Sequence, residues 1–131
     1  MGLTEEERDA LVAYRVQKSK EVFKEATDVA NLGHWNLAVN RLYYAVFHIC
    51  SAVLLSKGFT ARTHSGVIQI MMKEYVKTNI LSKDDGVLIS TLFNMRNSGD
   101  YDDMFDWEEF QVSPLIEPVS TLLSQIEHLI R

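Results

Sequence analysis

Cysteine is nearly absent from this 131-residue chain; Cys50 stands alone. A single thiol excludes a disulfide framework and a thiolate zinc site within one chain. Its neighbours Phe47, Ile49 and Val53 mark it as a buried structural thiol of a reducing compartment. A basic surplus is missing too. Lys and Arg number 13 against 18 Asp and Glu, and the net charge of −5 counts against a general electrostatic grip on nucleic acid, although a local basic patch survives such a balance. The opening stretch MGLTEEERDA is acidic where a signal peptide is basic and then apolar. No apolar run approaches the roughly 18 residues of a membrane span. The expectation is a cytoplasmic chain with no membrane contact. Period-2 alternation, hairpin dipeptides, repeats, low-complexity tracts and linkers are all lacking, so neither a sheet nor a second domain is indicated. What remains is 47% apolar and 24% charged, an ordinary globular balance for one domain over residues 1–131.

What is present is helical patterning. Thr4 with Glu7 forms a capping box for a first helix to about Asn31, with Val12, Val16, Val22, Ala26 and Ala30 on its apolar stripe and Gly33 after its end. A second helix, from about Trp35 to Lys57, is apolar almost all round and is therefore expected at the centre. A third runs from about Thr63 to Lys77. A fourth opens at a Ser82–Asp85 capping box and reaches about Asn97. The C-terminal segment allows two starts. Ser113 can cap a helix with Pro114 at its first position, or Asp106 with Glu109 can cap an earlier turn that the prolines then kink. Short connections favour antiparallel neighbours, giving an all-α, up-and-down bundle of four to five helices.

Signatures of phosphate loops, dinucleotide folds, zinc proteases and serine hydrolases are absent. The acidic run from Asp100 to Glu109 suggests calcium, but a calcium loop starting at Asp100 needs an oxygen ligand and then glycine where Met104 and Phe105 stand. His34, His48, His64 and His128 include no i, i+4 pair, so no metal site is implied, and no cofactor either. On the second helix, Asn40, Tyr44 and His48 form a polar row whose members are expected to hydrogen-bond internally. Arg41 and His48 lie on that helix as a chance Arg–His spacing. If the third and fourth helices are antiparallel, His64 at the start of one stands near Arg96 and Asp100 at the end of the other. A cation, an imidazole, a carboxylate and the Tyr101 phenol then share one end of the bundle.

Taken in order, AVNRLYYAVFHICSAVLLSKGF, THSGV and LFNMRNSGDYDD resemble the HEPN domain family (higher eukaryotes and prokaryotes nucleotide-binding). The closer likeness is to small stand-alone bacterial and archaeal members with the pattern RxYYAxF…KG…HSG…RxxxDY. The resemblance covers residues 35–103. It implies a helical bundle that homodimerises, and either a metal-independent ribonuclease or a partner of a minimal nucleotidyltransferase in a toxin–antitoxin or defence module, with RNA or a nucleotide as ligand. The residues themselves also allow a purely structural dimeric scaffold in which Arg96 and Asp100 pair to staple the fourth helix, though an exposed pair of that spacing contributes only about 0.3–0.5 kcal/mol. Carried over by position, the family's arginine is Arg96 and its polar residue Asn97. The histidine window falls on Tyr101, Asp102 and Asp103, so the family's histidine is missing. His64 is the substitute that titrates in the right range, because a phenol with a reference pKa near 10 is a poor base. Exposed aromatics expected at a dimer surface are Phe59, Phe105 and Trp107.

Overall fold

The structure, a computed structural model, describes residues 2–101 and 106–130, and the side chains of all of these but 99–101. The described residues form α1 (Glu5–Asn31), α2 (Trp35–Ser56), α3 (His64–Met71) with a π-helical turn (Met72–Val76), α4 (Lys83–Tyr101), α5 (Glu109–Val112), a 3₁₀ turn (Ser113–Leu115) and α6 (Ile116–Glu127). Among them there is no strand. The all-α bundle expected from the sequence is what the chain forms.

Local chemistry explains most of the boundaries. At the start of α1 the Glu7 amide donates to Thr4 Oγ1 at 3.0 Å and the Thr4 amide to Glu7 Oε1 at 2.9 Å. Ser82 and Asp85 exchange the same pair of bonds before α4, each at 3.0 Å. Both α1 and α2 end on a glycine in the left-handed region, Gly33 at φ 80° and Gly58 at φ 82°. At the end of α2 two successive amides fold back: Gly58 N–H donates to Leu55 O at 3.1 Å and Phe59 N–H to Leu54 O at 3.0 Å. This closure satisfies carbonyls the helix leaves open and drives the following apolar residue onto the helix.

α2 is the hub. Ala38, Leu42, Ala45, Ala52 and Val53 have no accessible surface, and the cluster around α2 takes in Ala26 and Ala30 of α1, Met71, Leu92 of α4, and Leu122 and Ile126 of α6. Alanines at the α1–α2 seam let the backbones approach, and Ser19 Oγ donates to Ala45 O across it at 2.7 Å. Length and composition alone would let α2 cross a membrane, contrary to the expectation from the sequence, but 61% of that stretch is buried inside the bundle.

Four other expectations are corrected. The third helix does not stay α-helical to Lys77; Lys77 N–H donates to Met72 O at 2.8 Å, five residues back. Val67, Met71 and Tyr75 are all buried at four-residue intervals, a spacing that drifts by about 40° per step on a 3.6-residue helix; the wider turn takes up that drift. α4 passes Asn97 and reaches Tyr101; Trp107 Nε1 donates to Met95 O at 3.2 Å and braces its last turns. At the C-terminus neither Ser113 nor Asp106 is the cap. The Glu108 amide donates to Gln111 Oε1 at 3.1 Å to open α5, Pro114 sits in the 3₁₀ turn, and Pro118 lies in the first turn of α6, where its missing N–H has no intrahelical partner to lose. Finally, Phe59 and Trp107 pack against the core instead of standing exposed, Phe105 lies outside the described residues, and among the described residues the exposed aromatics are Phe110 and Tyr14.

Candidate functional site

α3 and α4 run antiparallel, so the start of one meets the end of the other. Between them lies an open cleft of about 600 Å³ lined by Thr63, His64, Ser65, Phe93, Arg96, Asn97 and Ser98. Thr63 caps α3 by accepting from the Gly66 amide at 3.0 Å, and this cap sets the direction in which the His64 side chain leaves the helix.

His64 is held by aromatic groups of α2. Its ring stacks on Phe47 with centroids 4.1 Å apart at 14°, and meets Tyr44 edge-on at 5.7 Å. Its Nδ1 lies 2.8 Å from the Tyr43 hydroxyl. That bond occupies one ring nitrogen, so any chemistry in the cleft falls to Nε2. Burial, and then the charges of Arg96 and Arg15, lower the His64 pKa from its ordinary value, so the imidazole is neutral at neutral pH. Burial also holds the Tyr43 phenol well above its usual pKa, against a smaller lowering by Arg96.

Arg96 is half-buried against the same tyrosines. Its Nη2 donates to Tyr44 Oη at 2.7 Å and its Nη1 to Asn97 Oδ1 at 3.2 Å. The guanidinium carbon sits 5.3 Å from the Tyr44 ring centroid and 5.6 Å from that of Tyr43, within cation–π range. Tyr44 therefore works twice, as a ring face under the cation and as a hydroxyl acceptor.

Of the sequence candidates, His64, Arg96 and Asn97 line this one cleft. Asp100 and Tyr101 lie on the last turn of α4, with side chains outside the described residues, and Asp102 and Asp103 lie outside them altogether. Asn40, Tyr44 and His48 do hydrogen-bond internally: Asn40 with Arg41, Tyr44 with Arg96, and His48 Nδ1 with Arg15 at 3.1 Å. Arg41 instead reaches Glu25 at 3.2 Å, so the Arg41–His48 spacing joins nothing. Among the described residues no group of three or more His, Cys, Asp or Glu could hold a metal. Cys50 is buried, and burial pushes its thiol up to about 12, outside the range of a nucleophile. Sequence reasoning did not single out Tyr43, although the paired tyrosines of RLYY were in view; nothing in a linear pattern says which of the two reaches the histidine.

The HEPN domain family model matches residues 12–129. The chain belongs to the HEPN domain family. A protein of Thermotoga maritima named "UPF0332 protein" is 34% identical over 124 residues, 95% of this chain and 94% of that protein. A protein of Methanocaldococcus jannaschii named "Putative toxin MJ0142" is 32% identical over 87 residues, 66% of this chain and 59% of its own length. In structure, the HEPN bundle is similar to TT1696 from Thermus thermophilus, with a TM-score of 0.77, 13% identity, and coverage of 91% of this chain and 98% of that one. At that identity the likeness speaks for the fold alone. Within this HEPN chain, the His64–Arg96 cleft joins two of the motifs, HSG and the arginine of the last one, through the tyrosines of the first.

Proposed function

We propose that this HEPN protein is one member of a toxin–antitoxin-like or defence pair in the cytoplasm, working as a homodimer and held by a minimal nucleotidyltransferase partner. Its His64–Arg96 cleft receives a phosphate group of RNA or a nucleotide. The observation that carries this reading is the Arg96 guanidinium, packed on two tyrosine rings beside a neutral imidazole at an open cleft. A planar cation fixed in this way can present two N–H groups to a phosphate. The names of relatives such as the Methanocaldococcus jannaschii protein support the toxin–antitoxin setting.

Binding is favoured over cleavage because the histidine of the family's catalytic pattern is replaced at Tyr101, Asp102 and Asp103. A second reading, a divergent metal-independent ribonuclease, draws on one feature. His64 stays neutral next to Arg96, so it can take a proton from a 2′-hydroxyl while the arginine stabilises the developing charge.

An RNA-cleavage assay with chelator, run on wild type, Arg96→Ala and His64→Ala at equal helicity, separates the two. The expected result is weak or no cleavage, with nucleotidyltransferase capture that Arg96→Ala weakens. Robust cleavage lost in either variant would promote the ribonuclease. Light scattering that finds only a monomer at micromolar concentration would remove the homodimer.

A further inference from the structure

Thr63 and His64 also line a second cleft, of about 440 Å³, between α1, α2 and the loop that joins α2 to α3. Its volume falls in the range of small-molecule sites, roughly 300–1,000 Å³. Two features set it apart from the surface of a chain with five more acids than bases. Arg15 and Arg62 both face it, and among the described residues no carboxylate lines it. Its apolar lining is mixed: aliphatic Leu11, Leu54, Leu55 and Val67, with two flat rings, Phe47, whose ring stacks on His64, and Phe59, brought down by the closure after Gly58.

The positive charge here is not spent on acids. Arg15 Nη1 is 3.1 Å from His48 Nδ1, a nitrogen that stays neutral because burial and Arg15, Lys18 and Arg41 all lower its pKa, to about 4. Among the described residues neither Arg15 nor Arg62 forms an ion pair. A guanidinium bound to a neutral imidazole keeps its full charge, and a second one on an exposed loop faces the same space. Burying an anion's charge requires such partners, while the two rings among the aliphatic side chains suit a flat apolar body on the same molecule.

We infer that this cleft is a second ligand site, separate from Arg96, for a phosphate monoester carried on a flat heterocycle. The phosphate lies on Arg15 and Arg62, and the ring lies against Phe47 and Phe59. The inference does not depend on the reading of the Arg96 cleft. The chemistry is that of a free mononucleotide or of the 5′-terminal nucleotide of a strand, and the probes separate these sources.

The test is isothermal titration of the full chain with guanosine 5′-monophosphate, a 5′-phosphorylated oligoguanylate too short to pair, and inorganic phosphate. Saturable nucleotide binding is expected, weakened about tenfold by Arg62→Ala, as loss of one charge-assisted hydrogen bond dictates. In Arg96→Ala, which removes any phosphate contact made in the first cleft, the Arg62-dependent binding is expected to persist. Arg62 is on an exposed loop, so that variant keeps its fold, and circular dichroism checks it. Phe59→Leu keeps the apolar contact but removes the flat face, and should weaken the nucleotide while leaving inorganic phosphate unaffected. A mononucleotide that binds as well as the oligonucleotide assigns the site to free nucleotides; a tighter oligonucleotide with the same Arg62 dependence assigns it to strand ends. No saturable binding, binding of inorganic phosphate as tight as that of the nucleotide, or equal loss in Arg96→Ala would overturn the inference.

Discussion

His64 and Arg96 lie 32 positions apart in the sequence and are linked through Tyr43 and Tyr44, which hydrogen-bond and stack between them. Because the guanidinium charge helps hold the imidazole neutral, removing it has a signed consequence. In Arg96→Ala the His64 pKa should rise toward 6.5, as followed by the imidazole carbon-bound proton shifts in an NMR titration. A pKa that does not move would mean that the two groups are not neighbours in solution. Tyr43→Phe removes the hydroxyl beside His64 Nδ1 and keeps the buried ring, so it should cost about 1 kcal/mol, measured by urea unfolding. A much larger loss would show that the ring itself has repacked.

Among the elements, the two informative glycines act for opposite reasons. Gly58 stands at φ 82° with nothing within 4 Å of a built Cβ, so Gly58→Ala meets backbone strain and no clash. The expected cost is about 1–2 kcal/mol, with Phe59 displaced from the second cleft. Gly86 lies in α4 without such a φ, but a Cβ there would come 2.9 Å from Val76 Cγ1 and 3.3 Å from Met72 Sδ. Alanine gains about 1 kcal/mol of helix propensity and loses about 1–3 to overpacking against a stiff valine. Gly86→Ala should therefore destabilise by about 1 kcal/mol and push α4 away from the π-helical turn; thermal unfolding of both variants decides. A Gly86→Ala protein more stable than wild type would show that Val76 yields easily.

For the molecule as a whole, the histidines predict how stability depends on pH. His48 titrates near 4 when folded and near 6.5 when unfolded, so between those values the unfolded chain binds the extra proton. Stability should be full above about pH 6.5, fall as the pH drops toward 4, and gain no further loss from His48 below that. His64 adds in the same direction from the same upper limit. Denaturation curves of wild type and His48→Gln across this window test the claim; parallel curves would refute it. Leu42, fully buried on the central helix, sets the scale of the core, and Leu42→Ala should cost about 2–5 kcal/mol in the same assay.

Periodicity, caps and stop signals act over three to six residues, and these the sequence determined by itself. The Thr4 and Ser82 capping boxes, the glycine stop after α1, the central place of α2 and the all-α class were all legible, because each depends on neighbours along the chain. The antiparallel meeting of α3 and α4 followed from short connections, and with it the nearness of His64 to Arg96. Contacts between distant residues were not legible. Which tyrosine holds the imidazole, whether Phe59 turns inward, where the C-terminal helix begins, and the change from α to π at Met72 all depend on the packing of side chains from other helices. The second cleft belongs to this class too: Arg15 and Arg62 are 47 residues apart and look like ordinary surface cations until α1 and the loop after α2 close around Phe47. A linear pattern records the local energies; only tertiary packing brings charges with no sequence relation into one space and removes the carboxylates from it.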